Sequence, residues 1–354
     1  MVQRRKFLKY VSAGIGISIS DIQVAAEPEK NTRIPHIVSE GEVIVTKQVP
    51  RQWVNHLEQA KSIAENLTQR FERNGGFVGV SYGAATDSRI NGLSKTKLCV
   101  ILSDSEQKRE FQQRMPDRIE GVSLEFDTIA EMDPDGADDG TIANCYDMKY
   151  RPMQPGVKMA GGSIGTTGWK VTSNTGYKFL LGSYHIVSNN RCAGIYDNDV
   201  HNPNSYTDRV ASGWNGSEVQ DWVVCRMENG VDMSPQIIKE PYPDDTGKIS
   251  KDSLQEMCCS GDELKHRGIN GCKSYHEIDR VGEFNNERCG GTASELIRFT
   301  NPQTEDGDSG GPHYQVLSFD GQDVYGCGAI HRGCNSNYGY AQAAYSIEDQ
   351  GYYF

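Results

Sequence analysis

Nothing in the 354-residue chain approaches the about 20 consecutive apolar residues that a membrane-spanning helix needs, so no helical span is expected. Positive charge is also in short supply. Lys and Arg number 36 against 48 Asp and Glu, for a formal charge of -12. A surface of that sign repels nucleic acid and anionic lipid, which removes both as expected partners. There is no low-complexity tract and no internal repeat, which excludes a solenoid. Among ten cysteines no two are spaced Cys-x-x-Cys, the usual nucleus of a compact zinc site. Cys258, Cys259, His266, Cys272, His276 and Cys289 carry suitable donor atoms, but without that spacing no metal and no cofactor is called for.

What is present begins with an address. Gln3-Arg4-Arg5-Lys6-Phe7-Leu8-Lys9 is a charged start, Tyr10 to Ser20 is mildly apolar, and Val24-Ala25-Ala26 offers the small residues of a cleavage site. The Arg4-Arg5 pair resembles a twin-arginine export signal, so residues 1–26 are read as a signal peptide and the protein as secreted. In an oxidising setting cysteines pair. Up to four bridges are expected among the eight cysteines after residue 149, and Cys327 with Cys334 could close a local loop.

Composition then divides the chain. Residues 27–50 are polar, with scattered proline, and read as a linker. Residues 51–130 form a small α+β N-terminal domain. Trp53, Leu57, Ala60, Ala64, Leu67 and Phe71 recur at helical spacing, strands are expected at 77–82, 97–102 and 122–126, and a second helix opens at Ser103-Asp104 and stops before Pro116. Residues 131–148 are acidic and turn-rich, a second linker exposed to processing. From residue 149 to 354 short β-rich runs alternate with Gly, Asn, Asp and Pro clusters, which predicts an all-β domain with one helix near 341–348.

The chemistry concentrates in Gly307-Asp308-Ser309-Gly310-Gly311-Pro312. Acyl transfer needs a hydroxyl on a tight turn and backbone N–H donors about 3 Å from the oxygen that becomes negative. Ser309 supplies the hydroxyl, and Gly307 and Ser309 could supply the donors. A serine is inert at neutral pH without a base. His185 ends the apolar run from Phe179, a setting that can fix its ring, whereas His313 is too near Ser309 in sequence to fold back onto it. Asp221 heads the apolar run Trp222-Val223-Val224-Cys225 and is costly to bury without a partner, which suits an acid that orients the histidine.

The order His185, Asp221, Ser309, the strand context of the first two and GDSGGP itself resemble the chymotrypsin-like, trypsin-fold serine endopeptidases, in particular their secreted bacterial and archaeal branch, over residues 149–354. The resemblance implies a double six-stranded β-barrel with the three residues in the cleft between barrels. It also implies Ser309 as nucleophile, His185 as base, Asp221 as its orienter and an oxyanion hole from Gly307 and Ser309. Gly328 to Gly333 resembles the strand that pairs with substrate backbone, so Gln303, Thr304, Ile330, His331 and Arg332 are expected to wall the specificity pocket. Asp308 is expected to lock its loop through an ion pair.

Departures from the pattern qualify the specificity. Gln303 stands where trypsins carry an acid, and His331 with Arg332 would instead suit an acidic substrate side chain. The flanking half-cystine after the histidine is missing or moved to Cys192. Polypeptides are the expected substrates, with the N-terminal domain as an inhibitor or folding aid that is removed, or alternatively as a regulatory or binding domain that stays attached. A catalytically silent binding protein on the same fold is the alternative; a serine esterase would need an acid and then a histidine downstream of the serine, and His331 is the only downstream histidine besides His313.

Overall fold

Arg33-Ile34-Pro35-His36-Ile37-Val38 and Glu42-Val43-Ile44-Val45 are two β-branched runs around Glu40-Gly41, and both central residues take positive φ, 51° and 81°. That is the geometry of a tight hairpin turn whose twist matches the flanking strands. Residues 27–50 are therefore not a linker over most of their length: β1 (Asn31–Ser39) and β2 (Glu42–Pro50) form a hairpin closed at Ser39 opposite Glu42. The computed structural model describes residues 30–354 apart from 132, 135–144, 189–193, 197, 204–207, 287–290, 301–302, 320 and 336. The expected export signal, Cys192 and Cys289 lie outside the described residues.

The chain continues with α1 (Arg51–Phe71), β3 (Phe77–Ile90), β4 (Leu93–Leu102), α2 (Ser105–Arg114), β5 (Arg118–Ile119) and β6 (Val122–Thr128). The periodic apolar face of α1 is buried through Trp53, Leu57, Ala60, Ala64 and Leu67. Asp104 caps α2 by accepting the Glu106 and Gln107 amides, as its sequence position suggests. Two short strands follow, β7 (Ala130–Glu131) and β8 (Asp133–Pro134). The remainder comprises β9 (Lys158–Ala160), β10 (Ile164–Thr166), β11 (Lys170–Ser173), β12 (Lys178–Gly182), α3 (Tyr184–Val187), β13 (Asp199–His201), β14 (Arg209–Ser217) and β15 (Trp222–Met227). Then come β16 (Asp245–Ile249), α4 (Lys251–Ser260), β17 (Glu263–Arg267), β18 (Lys273–Asn286), β19 (Thr292–Thr300), β20 (Pro312–Phe319), β21 (Gln322–Cys334), β22 (Tyr338–Ala343), α5 (Ala344–Glu348) and β23 (Tyr352–Tyr353). The last helix is shorter than expected because residues 341–343 complete the ladders of β22 with β19 and β21.

Pairing sorts the strands into two sheets. In one, β17, β18, β19, β22, β21 and β20 pair in turn until β20 returns to β17, a closed ring of six. The other runs β10-β9-β13-β14-β15-β12-β11-β23 as an eight-stranded path. Among the described residues one six-stranded ring is closed, and the pairing of the other sheet forms an open path of eight strands. The two sheets meet through Trp169, Phe179, Leu181, Trp222 and Val224 from one and Tyr314, Tyr325 and Ile330 from the other, all buried in one cluster.

The N-terminal α+β region is not set apart by a linker. β3 adds to the free edge of β18, with Gly83 opposite Arg280 and Tyr82 opposite Val281. Arg280 is buried there and pairs with Glu125 and Asp127 of β6, each at 2.9 Å, and with Glu283 at 3.2 Å. A buried guanidinium without such partners would be strongly destabilising. The expected 131–148 linker also contains β7 and β8, which pair with β18 and β21.

The disulfide expectation is corrected as well. One bridge is described, Cys145 to Cys272, while Cys99, Cys225, Cys258, Cys259 and Cys327 are buried thiols. Cys327 and Cys334 lie seven residues apart on the single extended strand β21, about 23 Å, which rules out a local loop. Burial pushes the Cys225 thiol up to about 12, so it behaves as a small apolar core residue.

Candidate active site

The apolar run Phe179-Leu180-Leu181-Gly182 forms β12 and pairs antiparallel with β15, which sets Gly182 opposite Val223. His185 sits on the one-turn helix that follows β12, and Asp221 on the turn that precedes β15, where it takes φ 51° and donates its N–H to the Glu218 carbonyl at 3.2 Å. The pairing therefore brings the two side chains together. His185 Nδ1 donates to both Asp221 oxygens, at 2.9 Å and 2.8 Å, and the His185 backbone N–H donates to Oδ1 at 3.0 Å. Both residues are buried. A carboxylate can only accept here, so the proton lies on Nδ1 and the lone pair on Nε2, which is buried without a hydrogen-bond partner. Burial pushes the Asp221 carboxyl up, but the His185 contact and the nearby Arg332 guanidinium outweigh it and hold the group below its usual range.

Ser309 is fully buried, and its Oγ donates to the Arg332 carbonyl at 2.8 Å. The loop around it is sewn to β21: Gly310 N–H donates to the His331 carbonyl and His331 N–H to the Gly311 carbonyl, both at 2.9 Å. Glycine is required at 310, where φ is 91° and a Cβ would come within 2.1 Å of the Thr166 carbonyl oxygen. Gly307 also takes positive φ, 96°, and its carbonyl accepts the Thr166 hydroxyl at 2.9 Å.

Asp308 does not lock the loop through an ion pair. Its buried carboxylate accepts from three backbone N–H groups, Asn270 at 2.9 Å, Gly271 shared between both oxygens at 3.1 and 3.0 Å, and Glu305 at 3.1 Å. Gly268 and Gly271 leave the space: a Cβ on either would lie 2.1 or 2.4 Å from an Asp308 oxygen. The Cys145–Cys272 bridge follows that segment directly. Here sequence reasoning missed Gly268-Ile269-Asn270-Gly271, whose two glycines around a loop were the available signal.

The expected pocket wall divides. On β21 Ile330 lies in the core between the sheets, not on a pocket. Arg332 faces the same way and brings Nε to 3.9 Å from Asp221 Oδ2. His331 points to the opposite side, where His313 Nε2 lies 3.2 Å from its Nδ1. The His313 ring stacks on His266 at 4.5 Å and on Phe299 at 4.4 Å, and His276 closes the group with Nε2 2.8 Å from the Ser274 hydroxyl. Gln303 is exposed and Thr304 half-buried with its hydroxyl inside. No periodic cue marks His266, His276 and His313, because they come from three different strands.

Burial, with repulsion from neighbouring imidazoles, pushes His266 and His313 well below the ordinary histidine range and His276 to about 3. One nitrogen each of His266, His313 and His331 lie within 4.8 Å of one another. Tetrahedral zinc at ordinary Zn–N lengths would draw its ligand nitrogens to about 3.4 Å. His313 and His331 already stand at 3.2 Å, while the His266 and His313 rings lie stacked with His331 tilted against both, so the group packs ring on ring as well as nitrogen to nitrogen.

No family model matches the chain, and no curated protein matches it. Solved structures do. A protease described as a glutamic acid specific serine protease that utilizes a novel histidine triad in substrate binding is 18% identical, covering 57% of this chain and 99% of its own, with a TM-score of 0.42. A Nocardiopsis protease is 13% identical, over 57% of this chain and 97% of its own, with a TM-score of 0.41. A Cellulomonas bogoriensis chymotrypsin is 16% identical, over 58% and 98%, with a TM-score of 0.41. These neighbours are proteases, and with each TM-score below 0.5 the functional reading rests on the geometry of the site.

Proposed function

We propose that the chain is a secreted serine endopeptidase that hydrolyses polypeptides through an acyl-enzyme on Ser309. The observation that carries this is the buried His185–Asp221 clamp, which leaves Nε2 with a lone pair two residues after Ser183, whose hydroxyl donates to the same His331 carbonyl as Gly310 of the serine loop. In the reaction Ser309 Oγ bonds to the scissile carbonyl carbon while its proton passes to His185 Nε2. The N–H groups of Gly307 and Ser309 take the oxyanion, and the proton then goes to the amine as the C–N bond breaks. Water repeats the sequence on the ester and restores the serine. Attack requires Ser309 Oγ to leave the Arg332 carbonyl it donates to at rest.

The substrate residue before the cleaved bond is proposed to be acidic. His331, backed by His313 and His266, offers a carboxylate a proton-sharing partner, whereas Arg332 is engaged with Asp221 and is not part of that pocket. Export by the twin-arginine route and inhibition by the N-terminal region belong to the same reading. Support for inhibition comes from β8, which pairs with Gly333 and Cys334 on the strand edge expected to receive substrate backbone. A silent binding protein is the second reading, favoured by the hydroxyl of Ser309 donating away from His185.

Peptides that differ only in the residue before the cleaved bond test both levels. Glu peptides should be cleaved at least tenfold faster than Phe peptides, and Ser309→Ala should lose about 1,000-fold or more. Equal rates on Glu and Phe would sink the acidic pocket; no hydrolysis above the Ser309→Ala background would sink the protease.

A further inference from the structure

Arg332 touches both halves of the proposed machinery. Its side chain is fully buried, Nε lies 3.9 Å from Asp221 Oδ2, and Nη2 donates to the Val219 carbonyl at 3.3 Å, two residues before Asp221 on the same turn. Its carbonyl meanwhile accepts the Ser309 hydroxyl at 2.8 Å. Long cationic side chains are rarely buried this completely without a task or a partner.

We infer that Arg332 is a positioning residue for the base: it anchors the Asp221 turn and sets the lower pH limit of activity. This rests on the proposed protease reading. The reason is Coulombic. His185 must become an imidazolium during each turnover and must be neutral before it, and Asp221 favours the charged form. A fixed guanidinium beside Asp221 takes up part of that carboxylate's field in a low-dielectric seam, so its removal should strengthen the hold of Asp221 on the imidazolium form. The guanidinium also keeps Asp221 ionised, which holds the proton on Nδ1 and the lone pair on Nε2.

The groups acting on Asp221 are the His185 ring and the Arg332 guanidinium. From α3, Tyr184 adjoins Glu218. Across β21, His331 faces His313 and His266, and Asp308 feels His331 from the serine loop. β8 reaches β21 at Gly333 and Cys334 through its backbone.

The experiment compares wild type, Arg332→Lys and Arg332→Met on one Glu peptide from pH 4.5 to 9, with the protein made full length and matured as it is in the wild type. Arg332→Met should move the acid limb of kcat/KM up by about one pH unit, so that its loss is about tenfold greater at pH 5 than at pH 8, with KM little changed. Arg332→Lys should restore the limb. A loss of equal size at every pH, or a lysine variant that behaves as methionine does, would overturn the inference in favour of a packing role.

A second readout is independent of activity. NMR titration of the His185 ring proton in the Ser309→Ala background should show the same upward shift between Arg332 and Arg332→Met, and Arg332→Gln serves if the methionine variant fails to fold. No shift between the arginine and neutral-side-chain proteins overturns the inference. A titration shift in a wild type that cleaves no peptide would strike only the protease reading.

Discussion

At the scale of single residues, the site is built by glycines as much as by the reactive side chains. Gly310 at φ 91° has the Thr166 carbonyl where a Cβ would go, and Gly268 and Gly271 have the Asp308 carboxylate there. Gly310→Ala forces both a strained backbone angle and a clash with main chain, which cannot swing aside as a side chain would. It should destabilise the protein by about 3 kcal/mol or more and abolish hydrolysis, read from the urea midpoint and from kcat. A variant with unchanged midpoint would contradict the packing described here. Ser309, His185 and Asp221 were legible in the sequence because each sits in a local pattern: a glycine-rich turn, the end of one apolar run, the start of another. The roles of Arg332 and Asp308 were not, since both depend on which way a side chain leaves the strand or loop, and a one-residue difference decides that.

At the scale of elements, strands bring together groups that the chain keeps apart. β17, β18, β20 and β21 each contribute to the histidine group, and apart from it β1 carries the buried His36, whose Nδ1 meets the Ser253 hydroxyl on α4. Burial, then the nearby Lys47, pushes His36 down to about 4, and His276 falls to about 3. A histidine depressed in the folded state is neutral there while its unfolded counterpart takes up a proton below about pH 6.5. Stability from these groups is therefore fully present above about pH 6.5. It declines as pH falls through 6.5 towards 4 for His36 and towards 3 for His276, with a slope approaching about 1.4 kcal/mol per pH unit for each. Urea midpoints at pH 7 and pH 5 should differ clearly, and His313→Phe, which keeps a ring against Phe299, should reduce the difference. Identical midpoints would contradict the burial of neutral imidazoles. The hairpin β1–β2 was missed in the sequence because its charged, polar faces mask the β-branched alternation, although Glu40-Gly41 marked the turn.

At the scale of the whole molecule, the β-rich character of residues 149–354 was legible, while its organisation was not. Alternating apolar runs fix that strands form, but closure of one ring of six and the open path of eight depend on long-range pairing that no local window contains. Likewise the α+β region was legible as helices and strands, yet its addition to β18 and the Arg280 ion pairs that bind β6 to the ring were not. This joining gives the N-terminal region a route to the site: β7 and β8 run from it along β18 to β21, the strand that holds Ser309 and carries Arg332. The central claim is that Ser309 is a nucleophile activated by His185. Fluorophosphonate treatment of the matured protein, followed by peptide mass spectrometry, tests it most directly. The adduct should appear on Ser309 in the wild type and form at least a hundredfold more slowly in His185→Ala; an unlabelled Ser309 in folded wild-type protein, or equal labelling of both, would contradict it.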